Sequence, residues 1–193
     1  MIAGPVRTLV VRCPDWPAVA LGAVPEEAAV VVRANRVVSA TPAARAQGIA
    51  VGMRRREAQG RCPHVVVHER DLAREGRVYE LVVRAVEAFT PRIELSGFGL
   101  CAFPTRGPAR YFGGDRSLAE GLVERVDDVL SELGWPNQVC GGIADGPFAA
   151  RLASRPAGSL GSSIVIVEPG ETEAFLAPLP IEVLERPQLT DVL

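Results

Sequence analysis

The stretch RIELSGFGLCAF, residues 92–103, reads as two short strands meeting at Ser96-Gly97. Its tip presents Phe98 and Gly99, neither of which can hold a metal or move a proton. Working outward, a helix precedes it. Asp71 can cap that helix, and its apolar residues fall at 78, 81, 82, 85, 86 and 89, one buried face ending before Pro91. A second amphipathic helix follows, with Asp115 as its cap. Leu118, Leu122, Val126, Val129, Leu130 and Leu133 share its apolar face, and Gly134 stops it. Strands flank both helices: VRTLVVRC (6–13) before, QVCGGIA (138–144) after. A helix, PFAARLAS (147–154), and a strand, SSIVIV (162–167), come next, and from Glu168 the pattern weakens into proline-broken helix. With residues 14–70 set aside, the order is strand, helix, strand, strand, helix, strand. That predicts an α+β fold with a ferredoxin-like βαββαβ core over 1–13 and 71–167.

Residues 14–70 read as a small α/β unit inserted after the first strand. Three prolines break PDWPAVALGAVPEE (14–27), and AAVVVRANRVVSA (28–40) gives one or two strands with a turn near Asn35. Thr41 and Pro42 have the form of an N-cap and a first helical residue, with Gly48 as the stop. MRRREAQG (53–60) is a second short helix stopped by Gly60 and Pro63, and HVVVH (64–68) a strand. The insert is basic. Residues 26–66 hold seven arginines against three glutamates, in a chain of net charge −2 with no lysine. The two readings of that segment are a local anionic partner and a solvated arginine-rich helix face.

No apolar run approaches the roughly 18–20 residues of a membrane span, and MIAGPVRTLVV lacks the basic-then-apolar signature of a secretory signal. The four cysteines, Cys13, Cys62, Cys101 and Cys140, stand singly, which fits reduced thiols in a cytoplasm rather than a disulfide framework. His64 and His68 on one strand would lie about 13 Å apart, too far to share a metal. YFGGD (111–115) has the Gly-Gly-acid turn of cyclic-dinucleotide cyclases, but Arg116 and Ser117 follow where that motif needs a further acid and an aromatic. A turn with a capping aspartate is the plainer reading. GGIADG (141–146) and PAGSLGSS (156–163) lack the Gly-Lys-Ser/Thr of a phosphate loop and read as loops.

Several longer blocks carry a resemblance: CPDWPAVA, ANRVVSATPAARAQGIAVGMRRREAQGRCP, RGPARYFGG, GIADGPFAARLAS and FLAPLPIEVL. They are similar to the palm and fingers of Y-family translesion DNA polymerases, and most similar to the ImuB type. The resemblance implies a palm over 1–13 and 71–167, fingers over 14–70 and the start of a thumb over 168–193. In active members, carboxylates ending the first strand and on the central hairpin hold two Mg²⁺ ions. Here Arg12 and Pro14 fall at the first two acids, Phe98 and Gly99 take the place of the hairpin pair, and Pro17 replaces the aromatic ribose gate. With an effective dielectric of about 20, a guanidinium about 5 Å from Mg²⁺ would repel it by about 7 kcal/mol. Asp15, one residue out of register, would face away if it lay on the strand.

The expectation is therefore a chain that is no enzyme and has neither metal nor cofactor. The resemblance implies an adaptor in damage-induced mutagenesis, cytoplasmic and nucleoid-associated in a bacterium. Its partners would be DNA, bound weakly and without sequence preference, an error-prone replicative-type polymerase subunit, a RecA-like accessory protein and, through segments expected outside these 193 residues, the sliding clamp. Arg45 and Arg155 keep the positive charge of the family's triphosphate grip, and Arg54, Arg55, Arg56 and Arg61 are the expected DNA contacts. Two rivals stand beside this reading: an active low-fidelity polymerase with rearranged metal ligands, and a nucleotide-sensing domain using Arg45 and Arg155. QLTDVL (188–193) is either a clamp-binding peptide or the start of the thumb helix.

Overall fold

The computed structural model describes residues 5–156, 163–180 and 183. Its centre is strand β1, Arg7–Arg12, whose middle four residues are all buried. Such an apolar run suits a strand covered on both faces. It lies third in a five-stranded sheet ordered β5 (Glu94–Gly97), β6 (Leu100–Pro104), β1, β7 (Cys140–Asp145), β8 (Ser163–Ile166). β1 runs antiparallel to β6 and to β7, with Arg12 opposite Leu100 on one side and Cys140 on the other. β8 extends the edge, parallel to β7.

The two-residue alternation of β1 splits the core. Leu9 and Val11 join the cluster formed with helices α4 (Leu72–Glu87) and α6 (Asp115–Glu132). Val10 joins a second cluster with Ala149, Ala150 and Ala153 of helix α7, Pro147–Ala153. Each buried Leu or Val contributes about 1.5–3 kcal/mol relative to exposure. Arg7 ties the far end together. Its guanidinium donates to Asp115, to Asp145 (3.1 Å) and to the Val167 carbonyl (2.9 Å). The Gly170 N–H and then Arg7 hold the Asp145 carboxyl below its ordinary range.

A three-stranded sheet, ordered β3 (Arg36–Ala40), β2 (Ala29–Arg33), β4 (Val66–Glu69), carries its own small core. β2 and β3 form a hairpin through Ala34-Asn35, both at positive φ (49° and 63°), the backbone of a tight hairpin turn. Helices α1 (Trp16–Leu21), α2 (Pro42–Ala46) and α3 (Arg55–Arg61) complete this part of the chain. Thr41 caps α2 as expected: its hydroxyl accepts from the N–H of Ala44 and of Ala29 and donates to the Glu27 carbonyl. The expected fold class is observed: a βαββαβ sheet with a small α/β unit inserted after its first strand.

Several local expectations are corrected. The hairpin turns at Phe98-Gly99 rather than Ser96-Gly97, because β5 bulges between Leu95 and Gly97. Gly60 lies inside α3, which runs to Arg61 and is capped by Cys62 just before the expected stop at Pro63, and Arg54 is that helix's N-cap. Asp115 is the first helical residue, not the cap, and spends its carboxylate on Arg7. Leu81 is exposed, while Tyr79 and Glu75 are buried. Glu75 is paired through both oxygens with Arg70 (2.8 Å each), a short-range partner that apolar periodicity does not register. His64 precedes β4 and so is off the strand. β7 bears out the strand expected within 138–144 and extends it to Asp145, so the loop reading of GGIADG fails up to that residue. Helix α5, Arg106–Phe112, is additional to the elements expected from the sequence. QLTDVL, Ala157 and Gly158 lie outside the described residues.

Candidate functional site

The end of β1 and the tip of the β5–β6 hairpin meet, with the Cys13 N–H donating to the Gly99 carbonyl at 2.8 Å. Arg12 shares the Val10 face of β1, and its side chain reaches the C-terminal end of α7. Nε donates to the Ser154 carbonyl (3.1 Å) and hydroxyl (3.3 Å), and Nη2 to the Arg151 carbonyl (3.3 Å). A cation suits the negative end of a helix, where the last carbonyls lack intrahelical donors. Arg12 is thus a fastener between β1 and α7.

Gly99 has φ +83°, and a Cβ there would lie 2.7 Å from the Trp16 Cβ and 2.9 Å from the Cys13 carbonyl oxygen. Both the conformation and the contact demand glycine. Phe98 folds back over Gly76 of α4, with its ring 6.3 Å from that of Tyr79. Pro14 stands in the turn leading to α1, and Pro17 sits in that helix's first turn, where no N–H is needed. A guanidinium, a phenyl ring and a glycine with no room for a side chain do not fit Mg²⁺, which takes oxygen ligands. Among the described residues, no group of three His, Cys, Asp or Glu is placed to hold a metal ion. The nearby thiols are quiet: burial pushes Cys13 well up, and Cys101 up to about 11.

Asp15 departs from the strand argument. β1 ends at Arg12, and Asp15 takes a left-handed conformation (φ 54°, ψ 27°) as the N-cap of α1. Its carboxylate accepts from Arg45 Nη1 (2.5 Å) and the Ser39 hydroxyl (3.3 Å). Arg45 Nη1 also donates to the Ala40 carbonyl at 2.6 Å. The arginine expected to grip an anion therefore stitches α2 to the start of α1. An incoming phosphate would compete with Asp15 for it. Arg155 is half-buried just past α7. Sequence reasoning misses the Asp15–Arg45–Ser39 contact. Its signal is Pro14-Asp15 followed by Pro17, a helix start rather than a strand.

The arginine cluster is only partly gathered. Arg54, the cap, and Arg56 are exposed, and among the described residues neither enters an ion pair. Arg55 faces Glu69 at 3.5 Å. Arg61 faces Glu57 at 3.5 Å and donates to the Gly48 carbonyl at 2.6 Å.

A family model described as IMS, the impB/mucB/samB family, matches residues 18–155. A protein of Mesorhizobium japonicum named DNA polymerase IV 2 is 29% identical over 77% of this chain and 34% of its own length. A protein of the same name from Halalkalibacterium halodurans is 27% identical over 79% of this chain and 36% of its own. The chain thus spans about a third of the length of these relatives. Both carry the name of an enzyme, and this overturns the expectation that Arg12, Pro14, Phe98 and Gly99 make the chain a non-enzyme. Among solved structures, a ternary complex of Dbh with partially disordered substrates superposes with a TM-score of 0.70, covering 92% of this chain and 52% of that one at 17% identity. An insertion ternary complex of Dbh DNA polymerase gives 0.71 at the same identity. These two show the fold. With the family model covering well over half of its length, the chain belongs to the impB/mucB/samB family, the Y-family of DNA polymerase-like proteins.

Proposed function

We propose that the chain is the palm-and-fingers part of an ImuB-type member of this family, acting in damage-induced mutagenesis and translesion synthesis. In this reading the five-stranded sheet is the palm, residues 14–70 are the fingers, and the thumb begins near residue 168. The protein holds DNA weakly and without sequence preference. It brings to that DNA the sliding clamp, a RecA-like accessory protein and an error-prone polymerase subunit.

The observation that supports the ImuB type is Arg12, bonded to the carbonyls ending α7 where other family members place an acid. A carboxylate substituted there would face the same carbonyls and lose all three hydrogen bonds, so the local structure is built around the cation. DNA holding draws its support from the complexes of Dbh that share the fold and from the exposed Arg54 and Arg56.

The test is assembly on DNA. A lesion-bearing primer–template on beads is incubated with purified clamp, RecA-like protein and polymerase subunit, with and without the chain. Retention of the polymerase subunit only when the chain is present is the expected result. Equal retention in its absence overturns the proposal.

A further inference from the structure

Beside helix α5, where α4 gives way to the segment entering β5, the surface opens into a cleft of about 970 Å³. Its floor is apolar. Phe89 and Phe112 stack there with ring centroids 4.9 Å apart, and Pro91, Pro104 and Pro108 form the walls. Tyr111 stands edge-on to Phe112 at the mouth and is 85% exposed. A ring left so far in water buries little of the 150–250 Å² or so that an aromatic side chain can contribute.

The rim is basic. Arg92, Arg106 and Arg110 line the cleft and are exposed, and among the described residues no carboxylate lines it. Among the described residues none of the three enters a salt bridge. Val6, just before β1, belongs to the cleft, whereas Arg12 ends that strand at the hairpin tip. At about 3.3 Å per strand residue the two places are roughly 20 Å apart. The cleft is therefore separate from the site described above.

We propose that this cleft is a docking site for an acidic amphipathic segment of a partner protein. Aromatic or aliphatic anchors enter the floor against Phe112 and Tyr111, and flanking carboxylates pair with the arginines, whose planar forks suit bidentate contact. Tyr and Arg around an apolar pocket are the composition of an interface hot spot. Single-stranded DNA would find the cations, but base stacking needs free ring faces. Phe89 and Phe112 are half-buried with their rings tilted 35° to each other, so among the described residues of the cleft Tyr111 alone presents a largely exposed ring.

The experiment pans a phage library of random dodecapeptides on the immobilised 193-residue chain, counter-selecting on an Arg106→Glu, Arg110→Glu variant. A recovered peptide is then labelled with fluorescein and titrated by anisotropy. The expected result is a consensus of Phe, Trp or Leu set among Asp and Glu. Affinity should fall at least tenfold for Tyr111→Ala and for the double arginine variant, with thermal unfolding unchanged because all three side chains are exposed. No acidic–apolar consensus, or equal affinity for the variants, overturns the proposal. A labelled dT12 oligonucleotide is the third arm: if Tyr111→Ala weakens it as much as it weakens the peptide, the cleft is a nucleic-acid site and the proposal falls.

Discussion

Tyr79 shows how a single side chain can be well packed and badly served at once. Its ring meets Trp16 edge-on at 5.0 Å, and it is 2% exposed. Yet its buried hydroxyl makes no hydrogen bond of ordinary geometry among the described residues and meets only the weakly bonding Cys101 thiol, and burial raises its pKa strongly. An unmet buried hydroxyl costs about 1–3 kcal/mol. Tyr79→Phe removes the oxygen and keeps the ring, so it should stabilise the chain by about 1 kcal/mol. Calorimetry should show that as a rise of roughly 2–4 °C in Tm for a domain of this size. A lower Tm would mean that the hydroxyl has a partner after all. Little of this is legible in the sequence. Periodicity places Val82, Ala85 and Val86 on the buried face of α4 correctly, because apolar side chains declare themselves. Glu75 and Tyr79 do not, because their burial depends on Arg70 and on Trp16, which come from other elements. Arg12, by contrast, is legible as a cation at the end of the first strand. Only its target, the carbonyls of Ser154 and Arg151, requires the fold.

At the scale of elements, α7 comes hard against β7. A Cβ on Gly142 would lie 2.3 Å from the Ala150 carbonyl oxygen and 2.4 Å from the Ser154 nitrogen. The helix backbone rests directly on the strand, as only glycine permits. Gly142→Ala must push α7 away and, with it, the carbonyls that hold Arg12. Overpacking of this kind costs about 1–3 kcal/mol. Gly60 is the internal contrast. It lies within α3, a Cβ added to it would meet nothing within 4 Å, and it needs no positive φ. Gly60→Ala should stabilise the chain by about 0.5–1 kcal/mol. Urea denaturation of both variants checks the pair, and an unchanged or raised midpoint for Gly142→Ala would refute the close-packing account. Element identity is largely legible here: Thr41-Pro42 and the apolar helix faces announce their elements locally. The roles of the glycines are not, because the same residue serves as a turn at Gly99, a packing gap at Gly142 and an ordinary helical position at Gly60. Helix α5 escapes sequence reasoning for a related reason. Gly107 and Pro108 argue against a helix in isolation, although proline is tolerated in a first turn.

For the molecule as a whole, charge separates by region more than by face. The net charge is −2, yet residues 26–66 hold seven arginines and three glutamates. That asymmetry is legible from composition; which cations remain available is not. Arg45 is committed to Asp15, Arg55 faces Glu69, and Arg61 is shared between Glu57 and the Gly48 carbonyl. Arg54 and Arg56 are left as the exposed pair on α3 and its cap, about 200° apart around the helix at 100° per residue. A phosphate backbone lying along one side is centred on only one of them, so one contact is expected of this helix and two is its ceiling. Each phosphate contact on duplex DNA releases about 0.9 of a counterion, which puts the log–log salt slope between about −1 and −2 and the affinity no tighter than roughly micromolar at physiological salt. Fluorescence anisotropy on a primer–template across a salt series measures both. Arg54→Glu with Arg56→Glu should weaken binding on every sequence alike and bring the slope close to zero. Arg55→Glu should do less, because Glu69 already offsets part of that charge. If the double variant binds as wild type does, with the same slope, α3 is not where this chain meets DNA, and its arginines serve solvent or a protein partner instead.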